Sequence, residues 1–326
     1  MTPRQQAIAA LSRRKPEGLV PHLELEFQLS EELVGVPALR AEHLEGATGA
    51  RRQDMLKRNA EHWVEVAKRL DYCVITGTHW LPHDDQIATF HYLRDIAGDT
   101  YMLSAFVDGT FAIPNGENMM EQAIYFIERR EQALEDADGM VEAAIAAGVE
   151  LIHAGAEVVF MCSDYCFNDG PFLSPRMFAE FVTPFLKRQV DAFRAAGAFA
   201  VKHTDGDIMP LLDQLVAAGP DALHSLDPMA GVDIKQVREI VGNRLCLIGN
   251  VNLAYVQQGP PEKITESARY CLEHGGVGTG AYIYSTSNCI FAGVPMANYE
   301  LMLRVRQECG RLWGGDVRPE AGHPRP

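Results

Sequence analysis

The stretch that decides the fold runs from residue 199 to residue 251 and reads FAVKHTDGDIMPLLDQLVAAGPDALHSLDPMAGVDIKQVREIVGNRLCLIGNV. It contains three short apolar runs, at 199–203, 222–225 and 245–249, separated by polar turns and longer amphipathic segments. Short apolar runs between turn residues are typical of buried strands, and apolar residues three to four positions apart are typical of helices. The stretch therefore predicts repeated strand–helix units with parallel strands.

The same alternation continues toward both ends of the chain. Five more strand-like runs lie at 19–27, 72–76, within 100–113, at 158–162 and at 282–284. Eight strand–helix units without a linker between them predict an α/β fold, a single (β/α)8 TIM barrel over residues 1–312. Residues 313–326, WGGDVRPEAGHPRP, lack this pattern and are expected to form a flexible tail.

Two of the intervening helices are marked at both of their ends. The pair Ser174-Pro175 supplies an N-cap followed by proline at the first helical position, and helical spacing then continues to Gly197. The pair Pro260-Pro261 begins the second helix, and Gly275 ends it. Both segments support the predicted alternation.

One segment departs from the strand–helix alternation. Residues 85–113 are rich in aromatic and β-branched residues, with turn signals at Gly98-Asp99 and Asp108-Gly109. Such a pattern is typical of two strands joined by tight turns. We therefore predict an insertion hairpin around residues 85–113.

Composition excludes several classes of protein. Hydrophobic residues make up 47% of the chain and charged residues 22%, which fits a soluble protein with a large core. The net charge of −15 argues against nucleic acid or an anionic membrane as a partner, because both need basic surface. The first residues lack the apolar run of a signal peptide, and we expect no membrane-spanning segment. Seven cysteines without regular spacing predict reduced thiols in a cytoplasmic protein.

Polar side chains gather where the predicted strands end. In a TIM barrel these carboxyl ends meet at one face, which carries the reactive residues. The residues found there include Glu24, Glu26, His79, Asp164, Tyr165, His203, Asp205, His224, Asp227, Asn250, Tyr284 and Cys289. The pattern predicts a polar cavity at this face and a small-molecule substrate.

Residues 203–251 resemble the uroporphyrinogen decarboxylase superfamily. The likeness rests on His203, the Gly219-Pro-Asp sequence, the LDPMAGVDI turn and the GNV that follows the seventh predicted strand. SPRMFAEFVTPFLKRQVDAFRAAG upstream and GVPMANYELM downstream are also similar, so the likeness covers roughly residues 150–305. The resemblance implies a (β/α)8 barrel. It also implies either a haem-pathway decarboxylase or a zinc-dependent methyltransferase that exchanges methyl groups with a corrinoid protein.

The decarboxylases of this superfamily carry an arginine-rich RQAGRY stretch near the start that binds the propionates of the substrate. The corresponding region here, PHLELEFQLSEELVG, places Glu24 and Glu26 there and has no arginine. Carboxylates in a cavity repel an octa-carboxylate substrate. Candidate arginines near the mouth are few, namely Arg94 and Arg176.

The methyltransferase branch has a zinc site of the form His-x-Cys with a second cysteine far downstream. His203 and Cys289 match two of these positions, and Asp205 replaces the middle thiolate. The resemblance therefore implies a metal set of His203, Asp205 and Cys289, with zinc as the expected ion. A hard carboxylate in place of a soft thiolate favours activation of oxygen over sulfur. We expect a methyl group to pass from a small methylated donor, such as a methyl ether or methylamine, to a corrinoid protein.

The remaining candidates follow from their positions at the strand ends. His203, Glu24, Glu26, Asp164 and Tyr165 are the expected catalytic residues. The expected substrate-binding residues are His79, Asn250 and Tyr284. Asp207 is expected to cap the following helix, Gly206 to let the chain turn, and His224 and Asp227 to belong to a structural turn.

Three alternatives stay open at this point. His203 without a metal can bind substrate or act as an acid/base group. A cofactor-free decarboxylase acting on a porphyrinogen-like or another carboxylated substrate is the second possible enzyme, and a non-catalytic binding protein with the same barrel is a third possibility. A homodimer is one expected assembly.

Overall fold

Seven parallel strands form one curved sheet, whose order follows the order of the chain. The computed structural model describes residues 1–276 and 278–311. In sheet order the strands are β1 Val74–Ile75, β2 Met102–Phe106, β3 Val158–Met161, β6 Phe199–Thr204, β7 Ala222–Ser225, β8 Cys246–Gly249 and β9 Tyr282–Ile283. A small antiparallel pair, β4 Cys166–Phe167 and β5 Gly170–Pro171, lies in the loop after β3.

Residues 21–23 join the two edges of this sheet. His22 forms parallel bridges to both Tyr72, just before β1, and Tyr284, just after β9. Its carbonyl accepts from the Cys73 amide at 2.7 Å, and the Tyr284 amide donates to the Pro21 carbonyl at 2.8 Å. The predicted first strand thus takes the eighth position as a short bridged segment. The TIM-barrel fold is confirmed, with strands at or within all eight predicted runs.

Strand side chains alternate between the barrel interior and the surrounding helices. On β6, Val201 packs in the interior cluster with Phe160 and Ile248, whereas Ala200 packs in the cluster formed with the helices. His203 is two residues beyond Val201 and lies on the same side. The alternation therefore directs His203 into the barrel, at the carboxyl end of its strand.

Helices surround the sheet. Within the described ranges they are α1 Pro3–Leu11, α2 Ser30–Val34, α3 Gly49–Leu70, α4 His83–Ala97, α5 Met119–Glu128, α6 Arg130–His153, α7 Pro175–Phe181, α8 Thr183–Ala195, α9 Leu212–Ala218, α10 Ile234–Val241, α11 Leu253–Gln258, α12 Pro261–His274 and α13 Met296–Cys309. None of the helices in these ranges combines the length and apolar composition that a membrane span requires.

The predicted hairpin at 85–113 is wrong. Residues 83–97 form helix α4, which buries Thr89, Phe90 and Leu93, and β2 pairs in parallel with its neighbours on both sides. Phe90 and Leu93 follow helical spacing, and the aromatic content of the segment concealed that period. Gly98 ends the helix instead of turning a hairpin.

The helix predicted from Ser174 to Gly197 forms as two pieces. The Ser174 hydroxyl accepts from the Met177 amide and begins α7, as expected. The chain leaves helical geometry at Val182, and Pro184 lies in the first turn of α8. A proline cannot donate the backbone hydrogen bond that a continuous helix would need there. The predicted tail, residues 313–326, lies outside the described residues.

Candidate active site

Two neighbouring strands bring an imidazole and two carboxylates together. His203 is the penultimate residue of β6, Asp205 follows the strand directly, and Asp164 follows the adjacent strand β3. Nε2 of His203 lies 3.8 Å from Oδ1 of Asp205 and 3.9 Å from Oδ1 of Asp164. One ligand atom from each residue lies within 4.8 Å of the other two, so the three residues can hold a metal ion.

Hydrogen bonds hold both carboxylates in place. The Asp205 amide donates to Oδ1 of Asp164 at 2.8 Å, which ties the two loops together. Asp205 in turn accepts from the Ser225 hydroxyl at 2.5 Å and from the Asn288 side-chain amide. Burial raises the pKa of Asp205, although His203 and Ser225 act in the opposite direction. Such support orients oxygen ligands before any metal arrives.

His203 has a second histidine behind it. Its Nδ1 lies 2.7 Å from Nδ1 of His224, which comes from the neighbouring strand β7. His224 is fully buried and lies in the strand itself, whereas the sequence predicted it in the structural turn. Asp227 does belong to that turn, where its carboxylate accepts from the Met229 amide.

A second polar group lies around Glu26. The Glu26 carboxylate accepts from Gln28 at 2.6 Å, contacts the Cys289 thiol at 3.6 Å and lies 3.7 Å from Nε2 of His79. Burial works to raise the pKa of Glu26, but the contacts with His79, Gln28 and Cys289 outweigh it and lower the pKa to about 2. Burial and the neighbouring Glu26 raise the pKa of Cys289, which therefore keeps its proton at neutral pH.

Asn288 and Cys289, which are adjacent in the chain, link the group around His203 to the group around Glu26. Asn288 donates through its side chain to Asp205, and its side-chain oxygen accepts from the amide of Cys289. Cys289 itself contacts Glu26, so it lies outside the cluster that contains His203. The residue grouped with His203 and Asp205 is Asp164, which the sequence proposed as a catalytic residue but not as a ligand. Its position after β3, the strand next to β6, is the signal that could have revealed it.

Glu24 is buried in the barrel wall and saturated with hydrogen bonds. Its carboxylate accepts from the Ser285 hydroxyl and from both the amide and the hydroxyl of Thr286, and it lies 3.3 Å from Nε2 of His22. The side chain is 0% exposed. Glu24 thus connects the closing segment to the loop after β9 and has no open side toward the cavity.

The other expected residues lie in different surroundings. The Tyr165 hydroxyl is buried and bonded to Thr110 at 2.6 Å. The Asn250 side chain is buried and donates to the Leu226 carbonyl. Tyr284 donates to the Met302 carbonyl on the helix side of the barrel wall. Among the three expected substrate-binding residues, His79 is the one that the structure places beside Glu26.

Sequence reasoning missed a buried ion pair that supports Asp164. Nζ of Lys202 donates to Asp108 at 2.7 Å and to the Ser163 carbonyl at 2.8 Å, and it lies 4.1 Å from the Tyr165 ring. Asp108 also accepts from the Ser163 amide. The pair therefore holds the loop that carries Asp164. In the sequence, this pair is indicated only by Lys202, an unusual lysine within an apolar strand.

No arginine of residues 1–276 or 278–311 pairs with Glu26, Asp164 or Asp205. Arg94 pairs with Glu157, which precedes β3 and therefore lies at the opposite end of the barrel. Arg176 is exposed on α7. In the described part of the chain, the close contacts of these three carboxylates are with imidazole, amide, hydroxyl and thiol groups.

Comparisons with known proteins agree with this architecture. The uroporphyrinogen decarboxylase (URO-D) family model matches residues 101–309. The uroporphyrinogen decarboxylase of Chlorobium luteolum is 28% identical over 166 residues, which cover 48% of this chain and 43% of that protein. The enzyme of the same name from Aromatoleum aromaticum is 27% identical over 175 residues, covering 50% and 45%. The chain thus matches less than half the length of these curated relatives.

A solved structure extends the likeness to nearly the whole fold. A methyltransferase from Methanosarcina mazei superposes with a TM-score of 0.68 at 19% identity, covering 94% of this chain and 99% of that one. The match to the family model covers the part of the chain from β2 to α13. The chain belongs to the uroporphyrinogen decarboxylase family, a family of enzymes.

Proposed function

We propose that this enzyme is a methyltransferase that moves a methyl group from a small methylated donor to a corrinoid protein. The observation that carries the proposal is the cluster of His203, Asp164 and Asp205 at the carboxyl ends of adjacent strands. Ionisable groups that converge and are held by hydrogen bonds favour a catalytic site over a non-catalytic binding barrel.

The three residues fit a divalent metal ion such as zinc. With bonds of about 2.0–2.2 Å, the ligand atoms of a tetrahedral zinc site lie roughly 3.4 Å apart. The observed 3.8 and 3.9 Å separations need only small side-chain adjustments to reach that value. One nitrogen and two oxygens would leave a position open for substrate, as catalytic zinc sites do. A metal bound there would act as a Lewis acid that polarises the bond between the methyl group and the donor heteroatom.

The charge of the cavity selects the kind of donor. A divalent ion held by Asp164 and Asp205 would offset those two charges, and Glu26 would remain as a carboxylate without an arginine partner in the described ranges. In a partly desolvated site such a charge repels a polycarboxylate and attracts a cation. We therefore propose a neutral or cationic donor, with methyl ethers and methylamines as the two classes that fit.

His79 and Glu26 handle the proton in this scheme. When the methyl group leaves, the electron pair of the broken bond stays on the donor heteroatom. An ether oxygen then needs a proton, whereas a cationic methylammonium leaves as a neutral amine and needs none. Nδ1 of His79 lies 2.8 Å from the Thr76 carbonyl, and its Nε2 faces Glu26. Glu26 is ionised at neutral pH and faces the ring that would supply the proton.

Methylation of a free corrinoid tests the proposal. Purified protein is incubated with reduced cobalamin and either a methyl ether or a methylamine, and methylation is followed by absorbance. We expect turnover by the wild-type chain and at least a hundred-fold lower rate for His203→Ala. His83→Ala, which removes a surface contact with Glu150, serves as the matched control. Absence of methylation with every donor, in protein that contains a stoichiometric metal, would contradict the proposal.

A decarboxylase is the second candidate, because the curated relatives carry that name. In that enzyme His203, Asp164 and Tyr165 would handle the proton that replaces the lost carboxylate, and no corrinoid would take part. The cavity without arginine favours a substrate with fewer carboxylates than a porphyrinogen. Release of carbon dioxide without any corrinoid would establish this alternative.

A further inference from the structure

His203 and His224 form a buried pair that neither the family model nor the sequence pattern assigns a role. The two residues lie opposite each other in the register of β6 and β7. Their Nδ1 atoms are 2.7 Å apart, and their ring centroids are 4.9 Å apart with a 39° angle between planes. At that separation one nitrogen carries a hydrogen and the other accepts it.

His224 can accept a hydrogen from His203. His224 is fully buried, and its Nδ1 lies against Nδ1 of His203. Its Nε2 has no hydrogen bond of standard geometry within the described residues. A neutral ring with its hydrogen on Nε2 has Nδ1 of His224 free to accept from Nδ1 of His203.

The other side of His203 agrees with this assignment. A hydrogen on Nε2 of His203 would be expected within about 3.2 Å of a carboxylate oxygen. The observed separations from Asp164 and Asp205 are 3.9 and 3.8 Å, too long for such a bond. An unprotonated nitrogen and two carboxylate oxygens carry electron pairs but no hydrogen. They therefore repel one another and stay beyond hydrogen-bond distance.

We propose that His224 is a positioning residue, which accepts the Nδ1 hydrogen of His203 and leaves Nε2 of His203 as a free electron pair facing Asp164 and Asp205. This role rests on the proposed function in one respect: the proposed function says what the electron pair of Nε2 binds. It makes His203 a ready metal ligand. In metal-free protein it lets Nε2 accept a proton from substrate but not donate one.

The charge of the cluster explains why a histidine suits this position. Metal-binding histidines usually donate their second N–H to a carboxylate, a backbone carbonyl or water. A third carboxylate behind His203 would add a buried charge beside Asp164 and Asp205, at a large desolvation cost. The neutral ring of His224 orients His203 without that charge. Its own buried position, at 0% exposure, also excludes water as a competing acceptor.

Nitrogen-15 NMR of the metal-free wild-type protein tests the tautomer directly. We expect the His203 ring to show a protonated Nδ1 and an unprotonated Nε2 at neutral pH, assigned by comparison with His203→Gln. A protonated Nε2 in the neutral ring would overturn the proposal. This measurement needs neither metal nor methyl donor. A protein with this tautomer but without methyl transfer would therefore contradict the proposed function alone.

Two substitutions test the positioning role through cobalt(II), whose absorption reports ligand geometry. His224→Leu removes the acceptor at similar volume, whereas His224→Asn places an amide oxygen near the position of Nδ1. We expect cobalt(II) affinity to fall 10- to 100-fold in the leucine variant and to return within a few-fold of wild type in the asparagine variant. Equal affinities and spectra in all three proteins would overturn the role. Circular dichroism confirms that each variant is folded.

Discussion

At His203, chemistry follows from what surrounds each ring nitrogen. Nδ1 is occupied by His224, whereas Nε2 faces two carboxylates. The sequence predicted His203 and Asp205 as a pair because they end one strand, two residues apart. It did not predict Asp164 as their partner, although the predicted barrel already placed the strand at 158–162 beside the strand at 199–203. Nor did it predict that Cys289 contacts Glu26.

Replacing Asp205 should remove the metal without unfolding the protein. Asp205→Asn keeps the shape of the side chain but loses the charge, so we expect zinc content per chain to fall at least ten-fold, by mass spectrometry. Asp207→Asn is the matched control, because the Asp207 side chain accepts from the Met209 amide and asparagine can accept there as well. Full metal content in Asp205→Asn would remove Asp205 from the ligand set.

Acid should destabilise the protein partly through Glu26. Its pKa is about 2 in the folded protein against an ordinary 4.5, so its contribution is complete above pH 4.5 and is lost as pH falls toward 2. A shift of that size corresponds to roughly 3 kcal/mol. Urea unfolding of wild type and Glu26→Gln between pH 3 and pH 7 measures it. The free energies of unfolding of the two proteins should approach each other at low pH. A constant difference between them from pH 3 to pH 7 would contradict the lowered pKa of Glu26.

At the scale of elements, local patterns predicted most of the structure. All eight strand-like runs contain or adjoin strands of the barrel, because an apolar run between turns is a local signal. Helix α4 was missed because aromatic residues within it imitate a strand. Gly206 was predicted correctly as a turn residue, since that role depends on neighbouring backbone. Asp207 accepts from the Met209 amide, but Ile208 takes the N-cap position of the short helical turn that follows. The Lys202–Asp108 pair was missed because its partners are far apart in sequence.

The turn at Gly206 provides a stability prediction for the element that carries the site. Gly206 has φ +82°, and a Cβ there would lie 2.4 Å from the Cys166 carbonyl oxygen. Gly219 has a similar φ of +78°, but a Cβ added there would have no heavy atom within 4 Å. We expect Gly206→Ala to reduce the free energy of unfolding by about 3 kcal/mol and Gly219→Ala by about 1 kcal/mol. Equal losses of unfolding free energy in the two variants, measured with urea, would contradict the close approach between residue 206 and the Cys166 carbonyl.

At the scale of the whole molecule, charge and shape act together. The chain carries a net charge of −15, and its cavity adds carboxylates without an arginine partner in the described ranges. Composition predicted the overall sign of the surface. It did not predict that Arg94 points to the far end of the barrel, since that depends on how β3 and α4 pack.

The cavity should therefore discriminate between donors by charge. The pair 2-methoxyethanol and methoxyacetate differs mainly by one carboxylate, which costs roughly 3 kcal/mol when it lies about 6 Å from a fixed charge at the protein surface. We expect kcat/KM for methyl transfer to be at least ten-fold higher with the neutral donor. Added salt should narrow the difference, because it screens exposed charges. A preference for methoxyacetate would contradict the proposed donor class.

The segment at 21–23 that joins both edges of the sheet has a consequence for how the chain folds. His22 bridges to Tyr72 nearby and to Tyr284, about 260 residues later in the chain. During synthesis its second partner leaves the ribosome about 260 residues after His22, so the nascent barrel keeps an open seam until then. Contacts of such high sequence separation form slowly. We expect the seam between residues 21–23 and β9 to acquire hydrogen-exchange protection last during refolding.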